Sequence, residues 1–374
     1  INNCLIIAGE KSGEEHCLSF FSELVKLCPN VKFWGVGGDE LQQNGMELIY
    51  HLNDFSNVGW SEVILKIPFY FRALKKIELL TKERKCKTAI LIDFQDFNLR
   101  LAKRLKKNGV EVLYYVAPQA WAWKEKRVEN LRKTVHTLFT ILPFEQRWFT
   151  ERGVRQVRPV NHPLWFKFQK HLLLHKEQEL GNSKVKRIVF FPGSRNSEVR
   201  NLLPVYVKAL KRAKKDYSIF SSIVVTSSVG SDNYQGYLGF FDKIYQSDQL
   251  KEALSSCDYA VATSGTITLA TAMFSIPTIV SYKVSFFNEL VFTVFVKYRN
   301  KISLGNIVLE KKVFPELIQE SVTPLNIFNC LKYWFENKNE VQRVKKILGE
   351  TKHLVSNSKL NVPKYMAEVI NKVT

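Results

Sequence analysis

The chain has 374 residues, too many for one ordinary core, so two domains are expected. With 45% hydrophobic and 24% charged residues it is a globular chain, which excludes a disordered one. The formal net charge of +20 asks for an anionic partner, and nucleic acid, an acidic membrane surface and a phosphorylated substrate all satisfy that on charge alone.

The opening NCLIIAG is an apolar strand with no signal-peptide pattern in it. Apolar runs at Cys4–Ala8, Val31–Val36, Ala89–Ile92, Val112–Val116 and Leu138–Leu142 alternate with helical patterns. Such βα alternation predicts a parallel sheet covered by helices on both faces. Around Pro163 the chain turns basic and aromatic, as a connector does. A second alternation follows, with strands expected at Arg187–Phe191, Ile223–Thr226, Asp258–Thr263 and Thr278–Ser281. The charge-free stretch Tyr259–Tyr282 is long enough to cross a bilayer, but its Thr-Ser-Gly-Thr and Pro divide it into strand, helix and strand. The C-terminal ~50 residues read as helices. The expected domains are residues 1–165, residues 166–340, and a helical segment 341–374 that packs back or is exchanged with a partner.

In doubly wound folds ligands bind beyond the carboxyl ends of the strands. Four such exits stand out. In AGEKSGEE, Gly9 and Gly13 bracket a turn into a helix, either a tight turn or an anion seat that includes Ser12. In TAILIDFQDFNLRLAKRLKKNG a buried strand ends in Asp93, with Asp96 and Asn98 close behind. Asp96 suits a helix cap. Asp93 sits farther from the helix body and suits either a structural role or a general base. In FFPGSRNSEV, Gly193 allows close backbone approach, while Ser194 and Arg195 offer donors to phosphate. In ATSGTITLATA, Ser264, Gly265 and Thr266 open a helix as an ordinary cap or a second anion seat. His162 in NHPLW reads equally as a turn residue or a site residue.

The six cysteines and seven histidines show no metal-ligand spacing, so free thiols in a reducing compartment and no metal are expected. Residues 57–76 carry Trp60, Val63, Ile64, Ile67, Phe71 and Leu74 at helical spacing, with Phe69 and Tyr70 adding apolar bulk and basic residues around them. That pattern fits a core helix or an interfacial membrane helix, and the net charge favours the membrane surface. Pro68 is expected to break or start a helix there. No nucleic-acid-binding module is recognisable.

Taken in order, these motifs resemble lipid-A-disaccharide synthase, a family 19 glycosyltransferase of the GT-B fold, nearly end to end. GEKSGEE is similar to G-E-x-S-G-D, IDFQDFNLRL to I-D-x-P-D-F-N-x-x-L, and YYVAPQAWAWKEKR to Y-V-S-P-x-x-W-A-W-R-x-x-R. LPFEQRWF, NHPL, PGSRNSEV, TSGTITL, LGNIV and PELIQ follow in the family's order.

The resemblance implies two doubly wound parallel-sheet α/β domains facing across a cleft, the first for the acceptor and membrane and the second for the UDP-sugar. It implies transfer, with inversion and without metal or cofactor, from UDP-2,3-diacylglucosamine to the 6-hydroxyl of 2,3-diacylglucosamine 1-phosphate, a step of lipid A biosynthesis. Asp93 matches the family's base. Gly193, Ser194, Arg195, Ser264, Gly265 and Thr266, with Asn306, Glu316 and Gln319, match donor positions. Ser12, Gly13, Asp96 and Asn98 match acceptor-loop positions. It further implies a cytoplasmic protein held peripherally on the anionic inner face of the inner membrane, no nucleic-acid partner, and an expected homodimer.

Four positions depart from the pattern. Ala270 stands where the family has a ribose-binding Glu, with Thr268 or Thr271 as possible substitutes; Asn161 replaces the Gly of G-H-P; Glu14 replaces Asp; Gln95 replaces Pro. The alternatives are a non-catalytic membrane-associated relative and a GT-B enzyme using another UDP-sugar.

Overall fold

The structure, a computed structural model, describes residues 2–55, 60–120, 126–174, 184–283 and 301–373, and the side chains of residues 60–66, 126 and 174 are outside that description. The chain forms two compact units, residues 1–166 with 356–374, and residues 167–355.

The first unit is built on a seven-stranded parallel sheet. Its strands are β1 (Asn2–Ala8), β2 (Val31–Gly37), β3 (Glu47–His51), β4 (Thr88–Ile92), β5 (Glu111–Tyr115), β6 (Thr137–Thr140) and β7 (Val157–Pro159), ordered β3-β2-β1-β4-β5-β6-β7. Alternation along β1 feeds both faces. Leu5 and Ile7 join a core with Leu74, Ile77, Leu101 and Leu105, while Cys4, Ile6 and Ala8 join one with Phe20, Phe21 and Leu24. A strand buried on both sides has to be apolar throughout, which is why β1 and β4 read so clearly.

The second unit has six parallel strands: β8 (Lys186–Phe191), β9 (Ile219–Val225), β10 (Lys243–Gln246), β11 (Tyr259–Thr263), β12 (Thr278–Tyr282) and β13 (Glu316–Ile318). Their order is β10-β9-β8-β11-β12-β13. The apolar stretch 259–282 is β11, the helix Thr266–Met273 and β12. Among the described residues no helix is long and apolar enough to cross a membrane.

The sequence reading finds every central strand and misses four: β3, β7, β10 and β13. These are the four sheet edges. An edge strand has one open side and carries mixed residues, as the half-buried ELIYH of β3 shows. A second difference is Pro68, which lies inside the helix Trp60–Glu83 instead of bounding it.

The C-terminal residues divide between the units. Lys338–Leu348 and Glu350–Leu354 stay with the second. Val362–Val373 returns to the first, where Met366 and Ile370 are fully buried in the core with Phe20, Phe21 and Leu24. Asn161, the departure from the family's Gly, takes part in this return: its side-chain oxygen accepts the Ser358 N–H at 2.9 Å. Ile370→Ala is expected to destabilise the first unit by about 2–5 kcal/mol, the range for emptying a buried aliphatic site. Urea unfolding followed by probes in each unit checks this, with the second unit's transition unmoved.

Candidate active site

In the first unit the exits of β1 and β4 are adjacent, since β1 pairs with β4 in register from Cys4–Thr88 to Ala8–Ile92. Asp93 and Phe94 follow β4 with φ of 45° and 44°, both in the left-handed region. Each such non-glycine residue costs about 1–3 kcal/mol and persists only where its surroundings impose it. Here they do. The Asp93 N–H donates to Tyr115 O at 2.9 Å; the Asp93 carbonyl accepts from Asn98 Nδ2 at 2.9 Å and from the Tyr114 hydroxyl at 2.8 Å. Asn98 also donates to Ile92 O at 3.2 Å. The Phe94 ring lies over the neighbouring loop, and a Cβ at Gly9 would meet it at 2.5 Å, so this loop requires glycine.

The Asp93 carboxyl is half-buried. Burial first, then the charge of Glu10, pushes its pKa up to about 6, against one hydrogen bond from Phe94 N–H. A carboxylate with a raised pKa at a strand exit has the properties of a general base.

Phe94, the N-cap residue of the helix Gln95–Lys107, makes no side-chain cap bond, and Asp96 lies in the first turn, where a carboxylate suits the helix dipole. Asp96 accepts from Arg127 at 2.7 Å, and Arg127 also bonds Gln95. Arg127 is the last residue of the WAWKEKR motif; Trp121 and Trp123 lie outside the described residues. Gly13 lies inside the helix Lys11–Leu27 and does not bound the turn, with Ser12 exposed beside it. Glu14 is buried and accepts from Leu41 N–H at 3.2 Å and Lys11 Nζ at 2.9 Å, tying this helix to the short helix Asp39–Gln43 after β2. His162 is buried, its Nδ1 accepting the Leu164 N–H, and burial holds its pKa down at about 3. That is the turn role.

In the second unit β8 and β11 are neighbours, so the PGSR and SGT loops leave the same sheet edge side by side. Gly193 has φ 125° and Gly265 φ 144°, conformations that favour glycine. The Arg195 side chain is 79% exposed and pairs with Glu198 at 3.1 Å. Ser264 donates to Ile302 O at 2.9 Å, and Thr266 is exposed at the start of its helix.

The Asn306 and Glu316 side chains are engaged within the protein and brace the loops around β13. Asn306 Nδ2 donates to Phe314 O and Glu316 Oε1, while its Oδ1 accepts from Val313 and Phe314 N–H. Glu316 accepts from Ile302 N–H, Ser303 N–H and the Ser303 hydroxyl. Gln319 is buried with φ 50° just past β13. Ala270 is also buried, and Thr268 and Thr271 hydroxyls donate to Gly265 O and Thr268 O, so neither stands in for the family's Glu.

The interfacial set divides too. Phe69 packs against Tyr50 and Phe55 in the core cluster, which removes it from the exposed face. Ile67 and Phe71 are 45% and 49% exposed. Trp60, Val63 and Ile64 have side chains outside the described residues.

Nothing local in the sequence marks Glu10, Tyr114 or Arg127. Glu198 has a local signal, a Glu three residues into a helix, where a carboxylate reaches back to the preceding N–H groups. Glu316→Ala is expected to cost about 1–3 kcal/mol by leaving the Ile302 and Ser303 N–H groups without their acceptor, read by thermal melting.

Comparison with known proteins agrees with the ordered motifs. A family model described as lipid-A-disaccharide synthetase matches residues 4–370. The lipid-A-disaccharide synthase of Nitrosococcus oceani is 32% identical over 327 residues, covering 86% of this chain and 84% of its own. That of Myxococcus xanthus is 34% identical over 330 residues, covering 86% and 85%. Among solved structures, the UDP-GlcNAc 2-epimerase from Neisseria meningitidis bound to UDP-GlcNAc aligns with TM-score 0.57 at 11% identity over 99% of this chain and 100% of that one. The calicheamicin glycosyltransferase CalG4 aligns with TM-score 0.58 at 10% identity over 100% and 98%. These two likenesses bear on the fold alone, which is GT-B. With its family model matched across nearly its whole length, the chain belongs to the lipid-A-disaccharide synthetase family of glycosyltransferases.

Proposed function

We propose that this glycosyltransferase joins UDP-2,3-diacylglucosamine to 2,3-diacylglucosamine 1-phosphate, forming the β-1,6 disaccharide 1-phosphate and UDP with inversion. The observation that carries the reading is Asp93, a carboxylate of raised pKa held in a strained strand exit. In the reaction it takes the proton of the acceptor 6-hydroxyl as that oxygen attacks the anomeric carbon, and the bond to the UDP oxygen breaks on the opposite face. Gly193, Ser194 and Arg195, with the helix N-terminus at Ser264–Thr266, hold the departing diphosphate, where negative charge develops. The first unit thus serves the acceptor and the second the donor. No metal is called for in this reading.

The exposed Ile67 and Phe71, beside the exposed Arg72 and Lys75, form the face that meets the anionic inner surface of the inner membrane. In this reading the protein is a peripheral, cytoplasmic-side enzyme that acts on lipid-borne substrates as a homodimer.

Purified protein in detergent micelles, given both substrates, is expected to yield the disaccharide by mass spectrometry. Asp93→Ala lowers the rate by about 10²–10⁴-fold, the usual worth of a general base. Because the ionised form is the active one, the parent rate rises with pH below about 6 and levels above it.

The same residue has a signed effect on stability. A carboxyl whose folded pKa is raised stabilises the protein when protonated, and that contribution is lost as pH rises through about 6. Asp93→Asn, a mimic of the protonated form, is therefore expected to raise Tm at pH 8 and to leave it unchanged at pH 4. Ile67→Glu with Phe71→Glu is expected to weaken sedimentation with anionic vesicles by about tenfold or more, from the apolar burial lost.

A further inference from the structure

Resting on the reading of the PGSR loop as the diphosphate seat, we infer that Glu198 is a positioning residue that occupies this seat between turnovers and is exchanged for the donor's diphosphate. The Glu198 carboxylate accepts the Ser194 N–H at 3.0 Å and the Arg195 guanidinium at 3.1 Å. These are the two donors that the loop offers to phosphate. A carboxylate on them is an internal anion in place of an external one.

The sequence is built to admit it. At Gly193 a Cβ would lie 2.4 Å from Glu198 Oε2, so any other residue there would push the carboxylate out. The Glu198 side chain is 18% exposed while that of Arg195 is 79% exposed, so the guanidinium has the greater freedom to swing. The rest of the loop is held independently of Glu198. The Ser228 hydroxyl donates to Ser194 O at 2.9 Å, and Asn196 Oδ1 accepts from Gly230 N–H at 2.9 Å and Asn233 Nδ2 at 3.0 Å. These bonds tie the exit of β8 to the exit of β9, so the loop keeps its shape when Arg195 changes partner.

Two consequences follow from the exchange. Before the donor arrives, Glu198 keeps Arg195 near the seat and lowers the ordering cost of binding. After transfer, Glu198 competes with UDP for Arg195 and speeds product release. Glu198 is thus expected to weaken UDP binding while supporting turnover.

The test is calorimetric titration with UDP, together with steady-state kinetics, on the parent, Glu198→Gln, Glu198→Ala and Arg195→Ala. Glutamine keeps an acceptor for the Ser194 N–H but removes the competing charge, so Glu198→Gln is expected to bind UDP roughly two- to fivefold more tightly, the scale of an exposed ion pair. Its kcat should fall, as slower UDP release requires. Glu198→Ala, which frees both the Ser194 N–H and Arg195, is expected to bind UDP at least as tightly as Glu198→Gln. A merely structural role would weaken UDP binding in both Glu198 variants, and that result overturns the inference. Unchanged UDP affinity in Glu198→Gln, with affinity lost in Arg195→Ala, overturns the exchange and keeps the seat. Unchanged affinity in Arg195→Ala removes the seat itself, and the reading on which the inference rests.

Discussion

The left-handed turn at Asp93–Phe94 is the constraint on which the first unit's chemistry depends. A buried parallel strand that runs straight into a helix would place its last side chain in the core or along the sheet. Two consecutive residues with positive φ break that path and leave a carboxyl half-buried at the strand's end. The strain is sustained by bonds to the Asp93 backbone from Asn98 and Tyr114 and by its own donation to Tyr115. The backbone is therefore anchored by neighbours through bonds that leave the carboxyl out. The burial that raises its pKa is a cost to folding, and in the proposed reaction it is a gain to proton transfer.

The second unit solves a different problem. In the proposed reaction it holds an anion, at two strand exits that the sheet order makes adjacent. Their support is a partly buried polar network: Glu316 gathers Ile302, Ser303 and Asn306, Ile302 accepts from Ser264, and Leu304 donates to Thr268. A carboxylate surrounded by donors inside the protein is tolerable because its lone pairs are satisfied.

Much of this was readable from the residues. Central strands are apolar on both faces, so β1, β4, β5, β8, β11 and β12 announce themselves, and with them the strand exits where Asp93, Arg195 and Ser264 lie. Edge strands β3, β7, β10 and β13 do not, because one side of each is open and their composition is mixed. The helical stripe of residues 60–76 was visible, but periodicity alone could not separate Phe69, which packs inward, from Phe71, which does not. What the sequence hid was long-range: Tyr114 against Asp93, Arg127 against Asp96, and Glu316 against Ser303 are contacts set by topology. The family resemblance supplied the identity of motif positions, and the structure supplied which of them are engaged elsewhere.

The central claim is that Asp93 is a base of unusual pKa, set by its burial at the strand exit. The most direct measurement is a pH titration of the Asp93 carboxyl carbon by NMR in the intact protein, assigned by comparison with Asp93→Asn. A midpoint near 6 is expected. A midpoint at or below the ordinary aspartate value of about 4 would contradict it, since such a carboxylate is neither desolvated nor matched to proton abstraction at neutral pH.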